Sequence, residues 1–237
     1  MQYIPPANLR GHDIEPLLAA RGLTADWFNL HDFDPHSTAN VARNAYAETM
    51  AKVPFHYRTA VASLPQLRTW IDGLVAVARE KQAERGGPIA SIINGPSLLL
   101  LGVCGVGKTH EAYGAMRELA VSGVYAQWQV TTAADLYAAL RPRYGVDSEA
   151  EFRKYRDARL LFVDDLGAER KPTEFTEEVN FRLINHRYEH HMPTLLTSNV
   201  EPKQLAERLG DRVTSRLAEM CERIPMKGND RRRRAAA

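Results

Sequence analysis

At 237 residues, 44% hydrophobic and 25% charged, the chain can bury a sizeable core without disulfide or metal staples and has room for one large domain plus a small extra one. Its two cysteines exclude a disulfide framework and a four-cysteine zinc site, and a net charge of +2 is too small to single out an acidic partner. No stretch has the apolar length of a bilayer span, and Met1–Arg10 lacks the basic-then-apolar order of a secretory signal, so the expectation is a cytoplasmic protein with no membrane partner.

Residues 1–52 read as a small, mainly helical module. Leu9 to Leu30 carries short helical patterns interrupted at Pro16 and Gly22, and Asp32 to Pro35 reads as a turn. Ser37 is placed to cap a helix running to Met50. His31 and His36 lie near acidic residues but have no further ligands around them, and both read as surface side chains. No motif in this module carries chemistry.

Residues 53–237 read as the main domain. Val53 to Arg58 looks like a joint, since Pro54 favours an extended residue before it. Gln66 to Glu84 has Leu67, Trp70, Ile71, Leu74 and Val77 at helical spacing. Gly86-Gly87-Pro88 ends that helix, and Ile89 to Pro96 reads as a surface loop.

Next comes the stretch that carries the chemistry. The apolar run Leu98–Leu101 leads into Gly102-Val103-Cys104-Gly105-Val106-Gly107-Lys108-Thr109, and a helix-compatible segment from His110 to Ala120 follows. A buried strand, a glycine turn spelled G-x-x-x-x-G-K-T and a helix, in that order, make a phosphate-binding loop. Glycines let backbone N–H groups surround phosphate oxygens without Cβ clashes. The helix N-terminus adds its partial positive charge to the same anion. Lys108 would reach the β- and γ-phosphates of ATP, and the Thr109 hydroxyl would ligate Mg²⁺. The nucleotide cradle is therefore expected from Gly102 to His110. Cys104 reads as an inert small residue of the loop.

Strand and helix patterns alternate from there. Val124–Val130 reads as a strand, Thr132–Leu140 as a Thr-capped helix, and Leu160–Val163 as a buried strand. Thr173–His190 reads as a long helix and Thr194–Ser198 as a further strand. Such alternation implies a parallel sheet covered by helices. Leu160-Leu161-Phe162-Val163 ends in Asp164-Asp165, which puts two carboxylates at the carboxyl edge of that sheet. Asp164 would hold Mg²⁺, and Asp165 would orient or deprotonate the attacking water. Asn199, just past the next strand, is either a turn residue or a hydrogen-bond partner for that water or the γ-phosphate. Arg212 and Arg216 sit four residues apart on a helix face; one could neutralise charge at a neighbour's nucleotide, or both could be solvated beside Glu207 and Glu219.

Taken in order, the phosphate loop, Leu160-Leu161-Phe162-Val163-Asp164-Asp165-Leu166-Gly167, Asn185-His186-Arg187-Tyr188, Pro193 to Asn199 and Gly210 to Leu217 resemble the DnaC/IstB-type AAA+ ATPases, the replicative-helicase loaders and transposition helper ATPases. The likeness covers about Val53 to Arg232. It implies an α/β P-loop AAA+ sheet sandwiched by helices, with ATP and Mg²⁺ as cofactors and ATP hydrolysis as the reaction. It implies Asn199 as a sensor of the γ-phosphate and Arg216 as a finger acting in trans within a homo-oligomer. Gly228-Asn229-Asp230-Arg231-Arg232 looks like the family's terminal Gly-x-Ser-x-Arg pattern, which makes Arg232 the second sensor, with Asp230 in place of Ser. The resemblance also implies a replicative helicase of the DnaB type as partner, gripped by residues 1–52, and single-stranded DNA as ligand. Arg141, Arg143, Tyr144, Phe152, Arg153, Lys154, Tyr155, Arg156 and Arg159 supply cations and aromatics for such binding, or else the surface of a solvated helix.

A transposition helper would share the ATPase and differ in client. A P-loop kinase of small molecules would leave Asn199 and Arg216 without obvious use. A scaffold that binds ATP without hydrolysing it is the remaining class.

Overall fold

The structure, a computed structural model, describes residues 13–30, 33–168 and 172–231. His31 and Arg232 therefore lie outside the described residues. In chain order the elements are α1 (Glu15–Ala20), α2 (Ala25–Phe28), α3 (Thr38–Met50), a 3-10 turn (Phe55–Tyr57), α4 (Pro65–Arg85), β1 (Ser97–Leu101), α5 (Lys108–Ala120), β2 (Trp128–Thr132), α6 (Ala133–Leu140), α7 (Ser148–Arg156), β3 (Leu160–Asp164), α8 (Glu174–Glu189), β4 (Thr194–Ser198), a second 3-10 turn (Pro202–Gln204), α9 (Leu205–Leu209), α10 (Asp211–Met220) and β5 (Cys221–Pro225). The chain divides into two compact units: Met1–Ile93, as far as described, with His110–Gln127, and Asn94–Thr109 with Trp128–Ala237, as far as described.

In the first unit the expected N-terminal helices group with α4. Ser37 caps α3 as its sequence predicts, its Oγ accepting from Asn40 N–H at 3.3 Å. Leu17, Leu18, Phe28, Tyr46, Trp70, Ile71 and Leu74 are buried, and Phe28 meets Tyr46 edge to face at 6.2 Å. Arg117 is fully buried; it donates to the Ala60 carbonyl and the Tyr46 hydroxyl. Glu111, 1% exposed, anchors the entry to α4 by accepting from Ser63 N–H at 2.8 Å and from the Ser63 hydroxyl at 2.5 Å. One expectation fails here. Ile89–Pro96 is not a plain surface loop, because Ile92 is fully buried and Ile92 N–H donates to Tyr125 O at 3.1 Å. Tyr125 N–H in turn donates to Ala90 O at 2.8 Å. That pairing absorbs residue 125, so β2 begins at Trp128 rather than Val124.

The second unit holds a five-stranded sheet in the order β2-β3-β4-β1-β5, with every pairing parallel. Parallel strands covered on both faces need continuous apolar runs, and Leu98–Leu101, Leu160–Val163 and Leu195–Leu196 supply them, all buried. Leu99, Leu136, Phe152, Tyr155, Leu161, Leu183, Leu196 and Leu217 share one core. The fold expectation holds: a parallel P-loop sheet of AAA+ type with flanking helices. Strand β1 lies between two strands that come much later in the chain. The loop after it therefore opens at the carboxyl edge, where ligands of α/β sheets bind.

Candidate functional site

Register places the site. Leu101 pairs with Ser198, and Val163 with Leu196, across adjacent strands. Gly102, Asp164 and Asn199 thus leave the sheet at the same edge. The loop needs glycine where it turns: Gly105 has φ of 85° and Gly107 φ of 101°, left-handed values that L side chains rarely adopt. Lys108, 5% exposed, folds its ammonium over the loop and donates to Gly102 O at 2.8 Å and Val103 O at 3.1 Å. Cys104 is exposed, Val106 is buried, and His110 is half-buried in the first turn of α5.

Thr109 donates to both oxygens of Asp164, at 3.0 and 3.1 Å. Thr197, which the sequence reading did not single out, is fully buried and completes this arrangement. Its hydroxyl donates to Asp164 Oδ1 at 2.5 Å and accepts from Asp165 N–H at 2.9 Å. Burial is the largest influence on Asp164 and pushes its carboxyl above the usual range; the Asp165 charge adds to the rise, while Thr197, Thr109 and Lys108 oppose it.

Asp165 is exposed and has φ of 57°, a left-handed conformation that Asp tolerates better than most residues. The turn is stitched to β4, since Leu166 N–H donates to Thr197 O at 2.8 Å and Ser198 Oγ donates to Leu166 O at 2.7 Å. The turn that carries Asp165 is therefore held in place by the neighbouring strand.

Asn199 is exposed and shares the wall of a cavity of about 290 Å³ with Leu101, Gly102, Val103 and Met226. Arg216 is placed differently. It donates to Asn185 Oδ1 at 2.5 Å and lies 5.4 Å from the Phe181 ring and 5.8 Å from the Tyr188 ring, both on α8. Arg212 lies 5.7 Å from the same Phe181 ring. The structure thus brings Lys108, Thr109, Asp164 and Thr197 together, sets Asp165 and Asn199 at the same edge, and holds Arg216 on the α8–α10 surface. A carboxylate and a hydroxyl are hard oxygen donors of the kind Mg²⁺ takes. With the left-handed glycines of the loop, the set fits a magnesium–nucleotide complex held by Lys108, Thr109 and Asp164.

The basic segment between α6 and β3 is only partly as expected. Phe152 and Tyr155 are buried in the core because they fall on the inner face of α7, so neither can stack on a base. Arg141, Arg143, Tyr144 and Arg153 are exposed, whereas Lys154 pairs with Glu151 at 2.5 Å and Arg156 with Asp157 at 2.7 Å. No described helix is long and apolar enough to cross a membrane.

The family described as "IstB-like ATP binding protein" matches residues 62–237. The phage-like element PBSX protein XkdC of Bacillus subtilis is 30% identical over 129 residues, which are 53% of this chain and 47% of that protein. The replicative helicase loader DnaC of Escherichia coli K12 is 25% identical over 143 residues, 59% of this chain and 55% of that one. This chain therefore spans about half the length of these relatives. Among solved structures, the DnaC helicase loader superposes with a TM-score of 0.59 at 21% identity, over 73% of this chain and 100% of that one. DnaI gives 0.52 at 21% identity, over 80% and 93%. The chain belongs to the IstB-like ATP-binding family.

Proposed function

We propose that this family member is an ATPase that loads a replicative helicase onto single-stranded DNA. The observation that carries the reading is the Thr109 hydroxyl on both Asp164 oxygens, at 3.0 and 3.1 Å, one residue after a lysine whose ammonium covers the phosphate loop. Mg²⁺, when bound, supplies positive charge to the phosphate oxygens. Thr109 and Asp164 would hold it, and Lys108 would bind the phosphates. Asp165 would accept a proton from the attacking water, oriented by its N–H bond to Thr197. Asn199 would fix that water or the γ-phosphate. Arg216 would act on the nucleotide of a second copy, which accords with its place on the α8–α10 surface. Arg232 would be the second sensor.

The helicase loaders among its relatives support a replicative helicase as the client. Residues 1–52 would grip a hexameric helicase of the DnaB type. Arg141, Arg143 and Arg153 would follow the DNA backbone, and Tyr144 would stack on a base. The IstB-like family description supports a second reading, a transposition helper with the same ATPase and a transposase as client. ATP turnover by the purified protein, with and without single-stranded DNA, tests the first part; absence of ATP binding would end both readings. Capture of a helicase rather than a transposase, with Lys108→Ala as control, separates the two.

A further inference from the structure

After β5 the chain runs back along the phosphate loop. Met226 N–H donates to Leu101 O at 2.6 Å, and the Met226 carbonyl lies so close to Gly102 that no side chain fits between them. Five residues on, Arg231 N–H donates to Gly105 O at 2.9 Å. Just before that second tether, the Asp230 side chain packs on Gly105; a Cβ there would overlap its carboxylate. The Arg231 guanidinium lies 3.0 Å from where a Cβ on Gly107 would stand. The segment from Met226 to Arg231 thus lays the Asp230 carboxylate over Gly105, and the Arg231 guanidinium over Gly107, of a loop whose amides and helix terminus favour negative charge.

We propose that Asp230 sets the nucleotide affinity of this site, its carboxylate competing with the triphosphate for the phosphate loop. The proposal rests on the nucleotide-binding reading above. A triphosphate beside Gly105 meets a like charge unless that carboxylate moves away. Because Arg231 is tied to Gly105 by its backbone, displacing Asp230 loosens the segment that carries Lys227 and Arg231. Nucleotide binding and release of this strap are then one event.

The test measures the affinity of the full chain for a fluorescent ATP analogue with Mg²⁺, comparing wild type with Asp230→Asn, Asp230→Ala and Asp230→Glu. Asp230→Asn and Asp230→Ala should bind at least about fivefold tighter, a fraction of one like-charge contact near a surface. Asp230→Glu should bind like wild type. The gain should shrink in about 0.5 M salt, which screens exposed charges beyond a few ångströms. As a second readout, nucleotide should speed tryptic cleavage at Lys227 and Arg231 in wild type. Unchanged or weaker binding by Asp230→Asn, or tightening by Asp230→Glu, overturns the proposal while Lys108-dependent binding by wild type keeps the ATP site. No binding by any of the four ends the ATP site and this proposal together.

Discussion

Thr197 donates its hydroxyl proton to Asp164 Oδ1 at 2.5 Å, one position beyond the last paired residues of β3 and β4, Val163 and Leu196. Thr197 Oγ1 in turn accepts from Asp165 N–H at 2.9 Å, so one buried hydroxyl orients both carboxylate residues. Thr197→Val keeps the shape and removes both bonds. The expected cost is about 1–3 kcal/mol, the penalty for leaving buried partners unmade, read as a lower urea midpoint without nucleotide. Thr197→Ser should retain most of the stability. Equal midpoints for the Val variant and wild type would refute the orienting role.

The raised pKa of Asp164 has a sign that can be checked. Burial, the leading cause, moves its carboxyl above the ordinary range, so between the ordinary and raised values the native state holds more protons than the unfolded chain. Stability therefore falls as pH rises through that window and bears the full penalty above it. Asp164→Asn removes the charge, and its stability relative to wild type should be greater near neutrality than below the window. Urea unfolding of both proteins at the two pH values decides this; a pH-independent difference would contradict it.

Arg187 is fully buried. It donates to Thr194 Oγ1 at 2.7 Å and to the carbonyls of Pro193 at 2.7 Å, Ala158 at 2.7 Å and Arg156 at 3.1 Å. Burial brings its pKa down to about 9, so the guanidinium keeps its charge at neutral pH. It clamps the end of α7 and the entry to β4 onto α8. Arg187→Met should cost about 3–5 kcal/mol by leaving those acceptors unpaired. A calorimetric melt tests this, and a shift of only a degree or two would exclude it.

Arg216→Ala separates a role in trans from a packing role. If Arg216 serves a second copy, turnover should fall by about a thousandfold, as for other arginine fingers, while ATP binding is kept. Mixing Arg216→Ala with Lys108→Ala should then restore part of the activity, because each variant supplies what the other lacks. Loss of stability without recovery on mixing would leave Arg216 as packing against Phe181 and Tyr188.

Much of this site could be read from the sequence because its chemistry is local. A glycine loop between an apolar strand and a helix, and two acids closing an apolar run, need only neighbours along the chain to be recognised. Thr197 was missed because its role depends on the register between β3 and β4, a long-range fact hidden inside an ordinary strand. Ile92 was misread for a similar reason, since its burial comes from pairing with Tyr125. Phe152 and Tyr155 looked available to DNA because composition does not say which face of α7 is inward. Asp230 and Arg231 read as part of a terminal Gly-x-Ser-x-Arg pattern, and only the fold brings them back to Gly105 and Gly107.

The most direct test of the account is the affinity of purified protein for MgATP, measured by titration calorimetry on wild type, Lys108→Ala and Thr109→Val. One site per chain is predicted, weakened by about tenfold or more in each variant, as expected for losing a charge-assisted bond or a metal ligand. Wild-type protein that binds no ATP, or variants that bind it as tightly as wild type, would contradict a nucleotide site built on Lys108, Thr109 and Asp164.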